Sequence, residues 1–409
     1  LAWPLLGFLG LGTTWNLLTL VARVAGVVLA FHAARAWKLG NTGALVAAAV
    51  YGAAPFFHGY SVEGIVEGQD GWTLALWLIA VGRGWRVRSC LCFALVMLSS
   101  WYLGAVACVM AVLLGRRGIW SFAGLLLAAP ALWSFFSTFP ASAPLDPEIR
   151  RAMGTAIGAW SPGIAEGLNP FAKTSWIGLG APLLACFVWR ENRRVVLAVG
   201  LFFLLSLGWG PWYQWPPFSS IRFPYRFHAG TLVGLAYLAG LGAQRWRHGA
   251  WLAPLLVVEG LLLSPIEAWI PGAPAEVPPI YEGLGGIVLD IPGPVAVPPG
   301  EINRSRVRAR WFLYAQTRGG YQSPWIPDFN GVGVSQAEAA WLLPVRSLDP
   351  LSPLRPPTAL EIPGTIDAII LHRRMLGDAE ELTHSLLLAD GWIRVLEDEE
   401  RSLYQRNSP

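Results

Sequence analysis

Charge is scarce in this sequence. Only 14% of the 409 residues are Asp, Glu, Lys or Arg, where an ordinary soluble domain carries about a quarter. The shortage is uneven. Residues 12–268 form one apolar stretch after another, whereas 270–409 have ordinary soluble composition. A single soluble domain is therefore excluded, and two regions are expected. Net charge is also small, at +4, and the basic residues fall in short, scattered clusters. That distribution excludes a nucleic-acid-binding stripe, so no nucleic-acid partner is expected.

Cysteine is nearly absent. Cys90, Cys92, Cys108 and Cys186 all lie in apolar stretches, which excludes a disulfide framework. Cys90 and Cys92 have the spacing of a metal pair, but no His or further Cys lies close by, and small apolar packing accounts for both. No cationic segment with a cleavage site precedes the first apolar run. The chain opens on Leu1 and not on Met, so the expectation is a fragment whose N-terminal part is missing.

Several motifs are missing as well. Gly283-Leu-Gly-Gly precedes a strand and not a helix, so it is no phosphate-binding turn. No Ser-His-Asp order, no zinc-protease motif and no solenoid repeat is found. The sequence also lacks an inverted repeat and paired broken helices, which argues against a transporter. Asn303-Arg-Ser305 is a glycosylation sequon that matters only in a eukaryotic secretory setting.

What is present is apolar sequence in bulk. Mean hydropathy is +0.46, and 22 Trp residues suit a membrane–water boundary. Apolar segments fall near 12–33, 42–57, 71–82, 89–99, 101–114, 118–137, 176–189, 195–209, 227–243 and 249–268. With a spanning helix needing about 20 apolar residues, several are short, and 89–114 is expected as two tilted helices or one re-entrant hairpin. The expected fold is a mainly α-helical polytopic membrane domain, 1–268, with about 9–10 membrane segments. A Pro-rich linker, 269–285, and a small extracytoplasmic α/β domain, 286–409, follow. Alternate crossings put five basic clusters on one side: Arg35/Lys38, Arg83/Arg86/Arg88, Arg116/Arg117, Arg190/Arg193/Arg194 and Arg245/Arg247. That side is expected to be cytoplasmic, in an inner (plasma) membrane.

The C-terminal region predicts strands at 286–292 and 368–372, where β-branched runs occur. Helices are predicted at 303–318 and Asp378–Leu388. Trp392–Glu397 and Arg401–Gln405, flanking an acidic turn, predict a hairpin.

Charges inside apolar sequence are candidates for function. Arg23 lies mid-way along the first segment and Glu259 mid-way along the last. The simplest expectation is that they pair with each other, or snorkel, and only fix the bundle. The expected outer loop 58–70 carries Glu63, Glu67 and Asp70, with the two glutamates on one face of a helical turn. Three carboxylates there could hold a divalent cation or supply a general base, or simply face water. Arg222 and Arg226 lie on the expected outer side, against the charge rule. Their guanidinium forks suit a phosphate, with an ordinary headgroup contact as the alternative. Arg150, Arg151 and Lys173 could join the same site.

Four stretches carry a resemblance: Thr14-Trp-Asn-Leu-Leu, Tyr51-Gly-Ala-Ala-Pro-Phe-Phe-His-Gly-Tyr with Trp72-Thr-Leu-Ala-Leu-Trp, Arg222-Phe-Pro-Tyr-Arg-Phe, and Val288-Leu-Asp-Ile-Pro with Tyr314-Ala-Gln-Thr-Arg-Gly-Gly-Tyr. In these the chain resembles the GT-C glycosyltransferase superfamily, in particular its YfhO-like bacterial membrane proteins. The resemblance implies transfer of a sugar from a polyprenyl-phosphate-linked donor to a glycan or other cell-envelope acceptor. It implies an inverting route, a divalent cation (Mg or Mn), and basic groups, here Arg222 and Arg226, on the lipid phosphate. The family's key acidic loop would precede Leu1, leaving Glu63, Glu67 and Asp70 as catalytic candidates. The alternative is a non-catalytic envelope scaffold of the same fold.

Overall fold

In the computed structural model the chain forms two compact units, Leu1–Pro271 and Gly272–Pro409. The structure describes residues 2–62, 70–138, 176–208, 211–214, 224–264, 277–293, 320–324, 341–350 apart from 343 and 346, and 355–406.

The described helices of the first unit are α1 (Ala2–Ala36), α2 (Asn41–Gly52), α3 (Pro55–Val62), α4 (Gly71–Gly82), α5 (Arg86–Ser99), α6 (Trp101–Leu113), α7 (Gly124–Thr138), α8 (Gly180–Cys186), α9 (Arg193–Ser206), α10 (His228–Ala243) and α11 (Leu252–Leu262). Alanine and leucine favour these helices, and glycine sets how closely they pack. A Cβ placed on Gly240 would sit 2.5 Å from the Gly43 carbonyl oxygen. Helices α2 and α10 therefore cross backbone against backbone. The Gln244 side-chain oxygen fixes the crossing by accepting the Gly40 N–H at 2.8 Å.

The polytopic membrane domain of about 9–10 segments is not found among the described residues. One helix is long and apolar enough to cross a membrane, Thr13–Ala36, with 24 residues and mean hydropathy 1.9. The apolar helices Gly71–Gly82, Trp101–Leu113 and Gly249–Leu262 have only 10–17 residues. At 1.5 Å per residue, a helix of about 12 residues reaches roughly 18 Å, well short of the ~30 Å hydrocarbon layer. Much of that apolar sequence is used internally: α2 buries Ala44, Val46, Ala47 and Ala48, and α10 buries Leu232, Leu235, Ala236 and Ala239.

The stretch 89–114 is broken at Ser100. Its extended backbone ends α5, and its hydroxyl caps α6 by accepting the Leu103 N–H. Across the break a Cβ on Gly104 would collide with the Met97 sulfur, so the two helices touch near the turn.

The second unit holds a four-stranded sheet in the order β1-β2-β4-β3. The strands are β1 (Val288–Ile291), β2 (Ala368–His372), β3 (Trp392–Glu397) and β4 (Arg401–Arg406). β1 and β2 are parallel, with Val288 opposite Ala368, and β4 runs antiparallel to both β2 and β3. Helices α12 (Arg373–Leu376) and α13 (Glu380–Ala389) lie between β2 and β3 in sequence. Side chains alternate between the sheet faces. Leu289, Ile291, Ile369 and Leu371 join the larger core with Leu387 and Trp392. Val288, Ala368 and Ile370 join a smaller one with Tyr281 and Tyr321. Both faces are covered, which explains why β1 and β2 are buried at every position. The helix predicted at 303–318 lies outside the described residues.

Candidate functional site

The candidate charges of the first unit gather where α2 and α3 meet, but not as the expected pair. Arg23 donates from Nη2 to the Gly52 carbonyl oxygen at 2.9 Å. Glu259 accepts the Leu179 N–H at 2.6 Å and the Gly180 N–H at 3.1 Å. Each charge therefore meets a helix terminus. The guanidinium takes a carbonyl at the end of α2, and the carboxylate takes amide N–H groups at the start of α8. Backbone partners of opposite polarity satisfy both groups, so neither needs the other.

Asp70 precedes α4. Its Oδ1 accepts the Trp72 indole N–H at 3.2 Å, and its carbonyl accepts the Thr73 hydroxyl at 2.8 Å. Thr73 also shares a 3.1 Å hydrogen bond with Ser99 at the end of α5. Tyr51 closes the same corner by donating its hydroxyl to the Gly71 carbonyl at 2.7 Å.

Arg226 lies in a short 3-10 turn, Pro224–Phe227, directly before α10. It is only 8% exposed. Its guanidinium carbon stands 4.1 Å from the Tyr102 ring centroid, a distance at which the ring face attracts the cation. Two phenylalanines join this region to Asp70. Phe56 packs against Tyr225 and His228 on either side of Arg226. Phe57 touches Phe56 and fills the space beside Gly71. Arg226 and Asp70 thus share one end of the first unit. Glu63, Glu67, Arg222, Arg150, Arg151 and Lys173 lie outside the described residues.

Sequence reasoning passed over His228. It opens α10 and is fully buried, and among the described residues neither ring nitrogen has a hydrogen-bond partner. Burial pushes its pKa down to about 3, so the ring stays neutral. The available signal was position: a polar residue beside Arg226 at the head of an Ala/Gly/Leu helix.

Of the three carboxylates expected to hold a divalent cation, Asp70 alone lies among the described residues. Its Oδ1 is already engaged by Trp72. Among the described residues no group of three His, Cys, Asp or Glu side chains could hold a metal.

The second unit holds a polar cluster that the sequence did not announce. Asp290 Oδ1 accepts the Tyr281 hydroxyl at 2.6 Å and lies 2.9 Å from His372 Nε2. Tyr281 stacks on Tyr321 with ring centroids 5.7 Å apart. Burial, and then the charge of Asp290, raises the Tyr281 pKa well above the ordinary phenol value. Asp290 and His372 belong to adjacent parallel strands and point to the face of the smaller core. With all three residues fully buried or nearly so, the cluster ties the linker side of the unit to its sheet.

No family model, no curated protein and no solved structure matches this chain.

Proposed function

We propose that the first unit binds a polyprenyl-phosphate-linked sugar at the end carrying Arg226 and Asp70, and passes the sugar to a cell-envelope acceptor. The observation that carries this reading is Arg226, a buried guanidinium braced on Tyr102 at the same end as a carboxylate. A cation held there answers a phosphate leaving group, whose charge grows as its bond to the sugar breaks. Arg222, four positions earlier, adds a second cation in sequence. Contact with a membrane falls to α1, whose Leu20 and Val24 side chains are exposed.

The acceptor hydroxyl oxygen attacks the anomeric carbon while its proton passes to the Asp70 carboxylate. The bond from that carbon to the phosphate oxygen breaks, and the electron pair leaves on the polyprenyl phosphate, facing Arg226. Configuration at the anomeric carbon inverts. No step is routed through a metal.

One observation favours a non-catalytic scaffold that binds the lipid without turning it over: the Asp70 carboxylate already accepts the Trp72 indole N–H. Native mass spectrometry of the full chain tests the shared step, comparing a polyprenyl phosphate with a polyprenol of equal length. Wild type is expected to prefer the phosphate, and Arg222→Gln/Arg226→Gln to lose that preference while keeping its helical content. Absence of a preference in wild type overturns both readings. If preference is present, sugar release that stops in Asp70→Asn supports the transferase, and no release supports the scaffold.

A further inference from the structure

A half-open cavity of about 450 Å³ runs into the first unit between α1, α2, α4, α6, α9 and α10. Its size falls within the ~300–1,000 Å³ of small-molecule sites. It exists because its wall is built from small residues: Ala30, Ala34, Ala47, Ala75, Ala198 and Gly234 line it. Larger side chains on these six helices would fill the space. Tyr51 and Phe202 also line it, as do Arg117 and Arg194.

Two cations stand beside the apolar wall of this cavity. Arg117 follows the C-terminus of α6 and lies over Trp37, with its guanidinium carbon 5.9 Å from the ring centroid. Arg194 lies in the first turn of α9, where the helix dipole adds to the positive field. Both are exposed. Among the described residues neither guanidinium has a hydrogen bond or a carboxylate partner. Glu191, a nearby acid in sequence, is already paired with Arg245. An apolar bore therefore ends in two cations that nothing in the described protein neutralises.

We propose that this cavity binds a single-chain anionic amphiphile, its alkyl chain in the Ala/Gly-lined bore and its carboxylate or phosphate head against Arg117 and Arg194. The chain removes apolar surface from water, and the head meets guanidinium donors suited to paired oxygens. Its cationic mouth is distinct from the Arg226–Asp70 end, although Tyr51, which closes the Asp70 corner, also lines the bore. Tyr102, beneath Arg226, begins α6, whereas Arg117 lies beyond its last turn. Eleven helical residues, Leu103–Leu113, intervene.

The test is native mass spectrometry of the full chain in an uncharged detergent with four probes: lauric acid, lauryl phosphate, lauryl alcohol and inorganic phosphate. One equivalent of lauric acid or lauryl phosphate is expected to bind about tenfold more tightly than the alcohol, the scale of one charge-assisted contact. A preference for one of the two anions identifies the head group. In Arg117→Gln/Arg194→Gln, which alters two exposed residues, acid, phosphate ester and alcohol should bind alike. Ala198→Trp, which fills the bore, should bind none of them. Equal binding of anions and alcohol by wild type overturns the proposal. So does inorganic phosphate displacing lauryl phosphate at equal concentration, which would reveal a surface anion site with no use for the bore.

Discussion

His372 Nε2 lies 2.9 Å from Asp290 Oδ1 in the interior of the second unit, and the Tyr281 hydroxyl donates to the same oxygen at 2.6 Å. One carboxylate oxygen thus holds together a residue from each of two adjacent parallel strands and one from the turn before them. Replacing Asp290 with Ala removes the acceptor shared by Tyr281 and His372, which lie 3.2 Å from each other, and should cost roughly 3 kcal/mol. Asp290→Asn keeps an acceptor and should cost about half of that. Hydrogen exchange at the amides of β1 and β2 in the full-length chain measures both effects. Unchanged protection in Asp290→Ala would show that the cluster contributes nothing to the sheet.

The same cluster sets an alkaline limit. Burial, followed by the charge of Asp290, raises the Tyr281 pKa, and burial likewise raises that of Tyr321. Folding therefore retains protons that the unfolded chain releases near pH ~10. The stabilisation is fully present below that pH and declines as pH rises through and above it. Melting of the full chain, followed from about pH 8 to about pH 11, should show this decline. Tyr281→Phe, with one of these phenols removed, should decline less steeply.

Two glycines of the first unit should respond to alanine with opposite sign. In Gly240 the new methyl would meet the Gly43 carbonyl and the Leu39 side chain, each at 2.5 Å. The α2–α10 crossing would have to open, at about 2 kcal/mol. Gly26, inside α1, has nothing within 4 Å of the same position. Gly26→Ala should gain about 0.5–1 kcal/mol from helix propensity alone. A pair of thermal melts decides, and equal shifts would contradict the crossing.

Arg23 and Glu259 should behave as strangers. Glu259→Gln weakens the cap on α8 by about 1 kcal/mol. In a double-mutant cycle with Arg23→Met the coupling should stay below ~0.5 kcal/mol. A buried ion pair would instead give about 3 kcal/mol, and a value of that size would restore the pairing expected from sequence.

That pairing shows where sequence reasoning stopped. It found the two charges, because ionisable groups stand out in apolar sequence. Their partners are backbone groups that every residue carries, and composition says nothing about those. Strand signals fared better. The run at 286–292 contains β1, 368–372 is β2, and the pair flanking Asp398-Glu-Glu is the β3–β4 hairpin, each marked by residue type and a turn. The clustering of Tyr281, Asp290 and His372 depends on pairing between strands distant in sequence, although polar residues in otherwise apolar strands were a usable sign. The number of membrane segments failed because apolar helices too short to cross a bilayer were counted as spans. The break at Ser100, between the expected segments 89–99 and 101–114, was by contrast legible. The cavity was invisible, since small residues at six places make a void only once their helices are assembled.

The strand order has a consequence for how the second unit is made. Ile287 and Asp367, joined by a hydrogen bond beside the β1–β2 pair, are 80 positions apart. β4, the last of the four strands to leave the ribosome, lies between β2 and β3. Until it arrives, the nascent sheet has an open edge on β2, and β3 has no neighbour. The unit therefore cannot assemble progressively from its N-terminal side, and an incomplete chain exposes β-branched edges prone to wrong pairing. Premature termination just before Arg401 would leave a sheet split in two, and cellular quality control, more than loss of any binding site, would decide the fate of that product.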